Sequence, residues 1–292
     1  METSLRLHHD SSEALADPLS YRRLVGCLIY LTSTRPDIVF ATQQLCQFMI
    51  ALTQTHFQAA LRVVRYLKAT PGKGLFFRRN NSFQLSGFSD ADWATCVDTR
   101  RSVTRYCFFV GNSLVSWKTK KQSTVSRSST EAKYRALAST TCELQWLFYL
   151  LRDLQVPHSK HPALYCDSQN ALYIATNPVF HERTKHLEID CHLVPQKLLS
   201  GLMNLLPVSS SHQLADMFTK ALSPKLFQSN LSKLELHDIF EPPACGGAKR
   251  RRKSQLNKRL SHITLYSCRA CFPFLYFVSI HNCILLLGSR IS

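Results

Sequence analysis

Four short runs rich in aromatic and β-branched residues occupy positions 75–119 and restrict this stretch to strand structure. The runs read LFFRR, FQLSGFS, YCFFVG and SLVSWKT, and the pairs Asn80-Asn81 and Gly111-Asn112 supply turns. Runs of this length and composition, divided by turn residues, are typical of a meander of antiparallel strands. We therefore expect consecutive strands to pair with one another along this part of the chain.

A long helix is predicted next, from about Ser128 to Leu154, with an apolar stripe at helical spacing. The stripe consists of Tyr134, Leu137, Thr141, Leu144, Phe148 and Leu151. Beyond it the strands ALYC and NLLPV alternate with helices that begin at Ser168, near His186 and near His212. Such alternation predicts strands added in parallel to the meander. The expected fold class is α/β, with a mixed sheet flanked by helices.

Three helices are expected before the strands. Ser20 is placed to cap the first, Pro36 opens the second, and the third, THFQAALRVVRYLKAT, stops at Pro71 and Gly72.

The chain is basic, with 36 Lys and Arg residues against 19 Asp and Glu residues and a net charge of +17. This balance favours a polyanionic partner such as nucleic acid. The third helix carries three basic residues at helical spacing, Arg62, Arg65 and Lys68. They form either a solvated helix face or a surface that contacts phosphates. Because the overall charge favours phosphate contact, we count them as candidate nucleic-acid-binding residues.

Three aspartates lie in distinctive settings: Asp90 in GFSDADWA, Asp167 in LYCDSQNA and Asp216 in HQLADMFTKAL. Asp90 and Asp167 each end a predicted strand, and Asp216 lies in the first turn of the last predicted helix. If the two strands are neighbours, their carboxylates repel unless cations lie between them, which indicates Mg²⁺ or Mn²⁺. A single aspartate is more often a cap or turn residue, as we expect for Asp92 and Asp98.

With the motifs DTRRS, SWKTKKQSTVSRSSTEA and NPVFHERTKHLEIDCH, residues 21–243 resemble the C-terminal part of the Pol polyprotein of copia-type long-terminal-repeat retrotransposons. Residues 20–75 resemble the reverse transcriptase thumb and connection, and residues 83–222 resemble the ribonuclease H domain. The resemblance implies a ribonuclease H-like five-stranded mixed sheet flanked by helices, its first three strands antiparallel, preceded by a small helical thumb/connection segment.

The resemblance also implies a reaction, the hydrolysis of the RNA strand of an RNA–DNA hybrid with two Mg²⁺ or Mn²⁺ ions. Asp90, Asp167 and Asp216 take the catalytic, metal-binding positions. A basic rim that could contact the phosphates of the hybrid is formed by Lys118, Lys120 and Lys121. The remainder of a Pol polyprotein is a second expected partner, and no membrane is expected. No Tyr-x-Asp-Asp polymerase motif occurs in the sequence, so no polymerase activity is expected.

The fourth acid of the implied site is ambiguous between positions 131 and 133. Family members usually read T-E-A-E-Y here, which puts Lys133 at the position of the catalytic glutamate. Ser128 and Glu131 have the spacing of a capping box, and position 133 lies about 50° from the middle of the apolar stripe against about 110° for position 131. Glu131 is therefore expected to cap the helix, although it is a possible substitute ligand.

Two further departures from the family pattern accompany Lys133. Arg105 stands where the family usually has glycine at the start of a strand, and Pro195 interrupts the helix predicted at 186–200. These changes are those expected of a decaying genomic copy.

The sequence divides into five expected segments. They are a polar extension (1–19), a helical thumb/connection remnant (20–75), a ribonuclease H-like domain (76–225), a family C-terminal segment (226–244) and a basic, then apolar tail (245–292). The tail holds nine of the basic residues and no acid. Lys249–Lys253 is typical of a nuclear localisation signal, so a cytoplasmic or nuclear location is expected. We interpret the tail as an unstructured or unrelated extension.

The resulting hypothesis is a retrotransposon ribonuclease H region that is weakly active or inactive because Lys133 replaces the catalytic glutamate. A non-catalytic nucleic-acid-binding module and a non-functional translated relic are the alternatives.

Overall fold

The strands form one large and one small sheet in the computed structural model, which describes residues 7, 14–77, 82–96, 98–156, 160–177, 188–218 and 220–240. The strands are β1 (Lys73–Leu75), β2 (Leu85–Asp92), β3 (Val103–Val110), β4 (Ser113–Lys121), β5 (Ala163–Cys166), β6 (Asn204–Pro207) and β7 (Leu236–Asp238). The described residues up to Asp238 form one compact unit. Of the second unit, which starts at Ile239, only residues 239–240 are described.

The large sheet has five strands in the order β4-β3-β2-β5-β6. β2, β3 and β4 form an antiparallel meander, as the aromatic runs predict. β5 pairs in parallel with β2, and β6 pairs in parallel with β5. This is the five-stranded mixed sheet implied by the ribonuclease H resemblance, so the predicted fold class is confirmed.

The prediction that LFFRR joins the meander was wrong for the residues described. β1 covers only the first residue of that run and pairs with β7, in the small two-stranded sheet. The reason is the occupancy of β2, whose two edges are taken by β3 and β5. The backbone of β1 therefore pairs with β7, near the C-terminal end of the unit in the chain.

The described helices are α1 (Pro18–Leu31), α2 (Val39–Cys46), α3 (Gln54–Ala69), α4 (Ser129–Asp153), α5 (Gln169–Thr176), α6 (Glu188–Leu199) and α7 (Pro224–Lys233). α1 begins earlier than predicted, because the side chain of Asp17, and not that of Ser20, accepts the backbone N–H groups of Leu19 and Ser20. Pro18 then fits the first helical position, where no N–H is needed. A 3₁₀ turn at Pro36–Ile38 leads into α2. Pro195 lies inside α6, as expected.

The helix predicted near His212 is replaced by two short 3₁₀ helices, Ser210–His212 and Leu214–Phe218. Gln213 lies between them, and its side chain forms two hydrogen bonds that hold the segment in this position. Its Nε2 donates to the carbonyl oxygen of Ser89 at 3.1 Å, and its Oε1 accepts from the N–H of Ala215 at 3.3 Å. These bonds anchor the segment to β2 and bring Asp216 to the end of that strand.

Helices cover both faces of the large sheet. The predicted stripe of α4 is confirmed, since its members are buried, apart from the half-buried Phe148. The hydroxyl groups of Thr140 on α4 and Ser89 on β2 are 2.9 Å apart, so α4 packs on the sheet face that carries the Ser89 side chain. On the other face Met217, Phe218 and Leu231 pack against residues of β3.

The helices α1 to α3 form a second hydrophobic core around Tyr21, Val25 and Leu45. The indole Nε1 of Trp117 on β4 donates to the carbonyl oxygen of Thr32 at 3.1 Å, so this helical segment contacts the large sheet.

The tail and Lys249–Lys253 lie outside the described residues, and the signal expected there stays a prediction. Among the helices that are described, none combines the length and apolar character needed to cross a membrane.

Candidate active site

The pairing register of the large sheet places the first aspartate opposite a cation. Asp90 on β2 is the direct cross-strand partner of Arg105 on β3. Directly opposed residues on one sheet face have side chains close enough to interact. Both residues are almost fully buried, at 1% and 0% exposure, so this pair is shielded from solvent.

Arg105 contacts three carboxylates. Its Nε and Nη2 donate to Oδ2 of Asp90 at 2.9 and 2.6 Å. Nη2 also lies 2.7 Å from Oδ1 of Asp92 and 3.2 Å from Oδ1 of Asp216. The planar guanidinium fork suits several oxygens at once, so one side chain links β2, β3 and the second 3₁₀ helix.

Lys133 reaches the same cluster from α4. Its Nζ donates to Oδ1 of Asp167 at 2.7 Å and lies 3.0 Å from Oδ1 of Asp90. Both contacts are ion pairs, and the one with Asp167 is the shorter. As predicted, Asp90 and Asp167 are side by side, since Ser89 and Cys166 are in register on β2 and β5.

Glu131 lies at the start of α4 and is engaged there. Ser128 Oγ accepts from its N–H at 3.1 Å, as the capping prediction requires. Its carboxylate accepts from the N–H of Arg127 at 2.9 Å, one residue before the position of an ideal capping box, and pairs with Arg135 at 3.0 Å. Both oxygens of Glu131 are thus held at the helix start, while position 133 faces the aspartates.

The balance between burial and neighbouring charges shifts the pKa values of Asp90 and Asp216 in opposite directions. Burial alone raises the pKa of Asp90, but Arg105 and Lys133 outweigh burial and hold that pKa below its usual range. Burial raises the pKa of Asp216 to about 6, and Arg105 and Lys220 only partly oppose it. The cluster is therefore organised around an ionised Asp90.

The sequence of this chain is similar to proteins of known families. The chain is 44% identical over 250 residues to the retrovirus-related Pol polyprotein from transposon RE2 of Arabidopsis thaliana, covering 86% of this chain and 17% of that protein. It is 35% identical over 209 residues to the Pol polyprotein from transposon TNT 1-94 of Nicotiana tabacum, covering 71% and 16%. The chain belongs to the retrovirus-related Pol polyproteins of copia-type transposons. It spans about a sixth of the length of these relatives.

No family profile matches this Pol chain. Among solved structures, ribonuclease H1 from the halophilic archaeon Halobacterium salinarum NRC-1 aligns with 45% of this chain and 90% of its own at 12% identity, with a TM-score of 0.31. The assignment of a ribonuclease H-like region in this Pol chain therefore depends on its strand order and on the Pol relatives.

The metal ions implied by the Pol family do not fit the aspartates as they are placed. Divalent ions of this kind need several carboxylate oxygens directed at one point. Here Arg105 and Lys133 engage both oxygens of Asp90 and one oxygen each of Asp167 and Asp216. In the described part of the chain, no group of three or more His, Cys, Asp or Glu side chains is placed to hold a metal ion.

The other predicted site residues of the Pol chain lie apart from this cluster. Lys118 and Lys120 are exposed on one face of the edge strand β4. They share that face with Ser116, whose hydroxyl contacts Glu143 of α4, whereas Lys121 faces the other way. Arg62, Arg65 and Lys68 are exposed along α3, at the helical spacing expected of them. Their role in binding stays a prediction.

Sequence reasoning missed two contributors to the cluster. Asp92 was expected to be a turn residue, but it ends β2 and contacts Arg105, because alternate residues of a strand share a face with Asp90. Lys220, four residues after Asp216, pairs with it at 2.9 Å. The spacing of both from the aspartates was visible in the sequence and is the signal that could have identified them.

The side chain of Lys121 forms a hydrogen bond with the thiol of Cys96. Its Nζ lies 3.0 Å from Sγ of Cys96. Burial alone raises the pKa of this thiol, but hydrogen bonds from Lys121 and Thr99 outweigh it and lower the pKa to about 7. We expect alkylation of Cys96 to rise with a midpoint near pH 7 and the Lys121→Met variant to move the midpoint towards about 8.5. Peptide mapping after iodoacetamide treatment across pH measures this.

Cys166 provides the internal reference for that measurement. It is buried like Cys96, and burial raises its pKa to about 11. It should stay unmodified throughout the neutral range. An alkylation midpoint of Cys96 that Lys121→Met leaves unchanged would show that the lysine does not stabilise the thiolate.

Proposed function

We propose that residues 76–225 are the ribonuclease H region of a Pol polyprotein in which hydrolysis of RNA–DNA hybrids is weak or absent. One observation carries the proposal: Nζ of Lys133 lies 2.7 Å from Asp167 and 3.0 Å from Asp90. By ancestry these aspartates would hold metal ions that activate water and stabilise the leaving oxygen. The ammonium group of Lys133 contacts the same aspartates and would repel a metal ion there.

The size of the effect follows from Coulomb's law. Two unit charges about 4 Å apart interact by about 4 kcal/mol at an effective dielectric constant near 20, and by twice that for a divalent ion. Each loss of about 1.36 kcal/mol in transition-state stabilisation reduces the rate about tenfold. Repulsion on this scale is sufficient to reduce cleavage by about a thousandfold or more.

Nucleic-acid binding does not depend on those ions. Lys118 and Lys120 on β4 and the basic residues of α3 are exposed, and the chain carries a net charge of +17. Contacts of this kind are to phosphates, so they weaken steeply with salt. These features favour the non-catalytic binding module as the second candidate function.

A single preparation of the full chain tests both functions. We expect a labelled RNA–DNA hybrid to bind, with affinity falling as salt rises, and to stay uncleaved in Mg²⁺ or Mn²⁺. Fluorescence anisotropy measures binding, and gel analysis measures cleavage against an active ribonuclease H assayed in parallel. The expected rate is about a thousandfold or more below that reference.

The Asp167→Asn variant controls for contaminating nucleases. Trace cleavage that persists in this variant does not come from the aspartate site. Cleavage at the reference rate that disappears in Asp167→Asn would overturn the proposal of an inactive enzyme. A chain that neither binds the hybrid nor unfolds cooperatively would instead support the relic.

A further inference from the structure

We infer that Arg105 is a second block on metal binding, independent of Lys133, and that these two cations, with Lys220, largely balance the charge of the aspartate cluster so that it is stable without divalent ions. The inference rests on the proposed function, since it concerns the same site. It differs from that proposal in locating the obstacle at two positions on different elements. Reverting Lys133 alone is then insufficient to restore a metal site.

The first support is the depth and number of the Arg105 contacts. Its side chain is fully buried, and it engages Asp90, Asp92 and Asp216. Nη2 alone lies within 3.2 Å of oxygens from all three. Moving this guanidinium out of the site is costly, because it would leave the buried carboxylates without their partner.

The second support is the division of Asp90 between the two cations. Arg105 takes Oδ2, from the neighbouring strand, and Lys133 takes Oδ1, from α4. Removing the lysine therefore frees Oδ1 of Asp90 and Oδ1 of Asp167 only. Oδ2 of Asp90 and Oδ1 of Asp216 stay against the guanidinium, so the three metal-binding positions are not released together.

The third support is the charge of the cluster. Among the described residues it contains four carboxylates, from Asp90, Asp92, Asp167 and Asp216, and three cations, from Arg105, Lys133 and Lys220. The near balance means that the carboxylates need no further cation to coexist at this distance. With every group ionised the cluster carries 3 − 4 = −1, so a divalent ion would enter a site whose charge is already nearly balanced.

Binding of Mn²⁺ to the full chain, followed by calorimetry and by thermal unfolding, tests the inference. We expect no saturable binding and no metal-dependent rise in melting temperature for the unmodified chain, for Lys133→Glu or for Arg105→Gly. The double variant Arg105→Gly with Lys133→Glu should bind Mn²⁺ and melt at a higher temperature with the metal than without it. Adding Asp90→Asn to the double variant should abolish both effects.

Each outcome separates the inference from the proposed function. Saturable binding by Lys133→Glu alone, as tight as that of the double variant, overturns the role of Arg105 and leaves the proposed function standing. Binding and hybrid cleavage by the unmodified chain overturn the proposed function itself. A double variant that fails to bind Mn²⁺, or stays unfolded at millimolar Mn²⁺, overturns the inference, because the metal should replace the missing cations.

Discussion

Replacing Arg105 by methionine is expected to lower the free energy of unfolding by about 3–5 kcal/mol, the cost of leaving buried charges without their partner. Asp90 is 1% exposed and would lose its guanidinium partner but keep the Lys133 contact, while Asp92 would lose the guanidinium and keep Lys220 at 4.0 Å. Methionine is apolar and similar in length, so the loss reports charge more than volume. Chemical denaturation of the full chain measures it.

Arg135→Met is the matched control for this substitution. Arg135 also forms an ion pair, with Glu131, but between neighbouring turns of one helix and at 21% exposure. Exposed pairs at this helical spacing contribute about 0.3–0.5 kcal/mol, and a loss well below that of Arg105→Met is expected here, because Arg135 is partly exposed and the buried Glu131 keeps the N–H of Arg127. If Arg105→Met and Arg135→Met destabilise the chain equally, the Arg105 cluster does not have the energetic role assigned to it.

The pH dependence of the Arg105→Met effect has a definite sign. The pKa of Asp90 is held below its usual range after folding, by charges that outweigh burial. A lowered pKa in the folded state gives stability that is present above the unfolded pKa and is lost as pH falls through the folded pKa. The stability difference between the unmodified chain and Arg105→Met should therefore shrink as pH is lowered through the carboxylate range.

Local sequence patterns correctly predicted the strands β2 to β6 and the approach of Lys133 to the aspartates. The angular offset of position 133 from the stripe of α4 is a property of one helix, and it placed Lys133 against Asp90 and Asp167. The spacing of Ser128 and Glu131 is also local, and the backbone bond between them is present. These features needed no knowledge of distant parts of the chain.

Features that depend on distant partners were not predictable in the same way. β1 pairs with β7, more than 150 residues away in the chain, because both edges of β2 are occupied. The predicted helix near His212 is broken because Gln213 bonds to Ser89 on β2. The sequence indicated only that Arg105 replaces a glycine at the start of a strand. Its contacts with Asp90 and Asp216 follow only from the register of β2 with β3 and from the placement of the 3₁₀ helix.

A second buried ion pair, in the helical segment, follows the same physics. Arg35 donates from Nε and Nη2 to the two oxygens of Asp37 at 2.9 and 2.7 Å, and from Nη1 to the carbonyl oxygen of Thr70 at 3.1 Å. The hydroxyl of Tyr66 donates to Asp37 at 2.7 Å. The pair connects the start of α2 to the end of α3, although its sequence, TRPD, predicts only a helix start.

Asp37→Ala is expected to destabilise the chain by about 3–5 kcal/mol, because it leaves the Arg35 guanidinium buried without a carboxylate. Arg35→Met with Asp37→Ala should recover most of that loss, since a buried ion pair replaced by apolar groups is often close to neutral. Denaturation of the two single variants and the double variant completes the cycle. If the single losses simply add in the double variant, the buried pair is not coupled, and the cost belongs to the hydrogen bonds with Tyr66 and Thr70. A recovered double variant would instead show that the cost of each single change is the charge left behind, which is also the reason that Arg105→Met alone is expected to be costly.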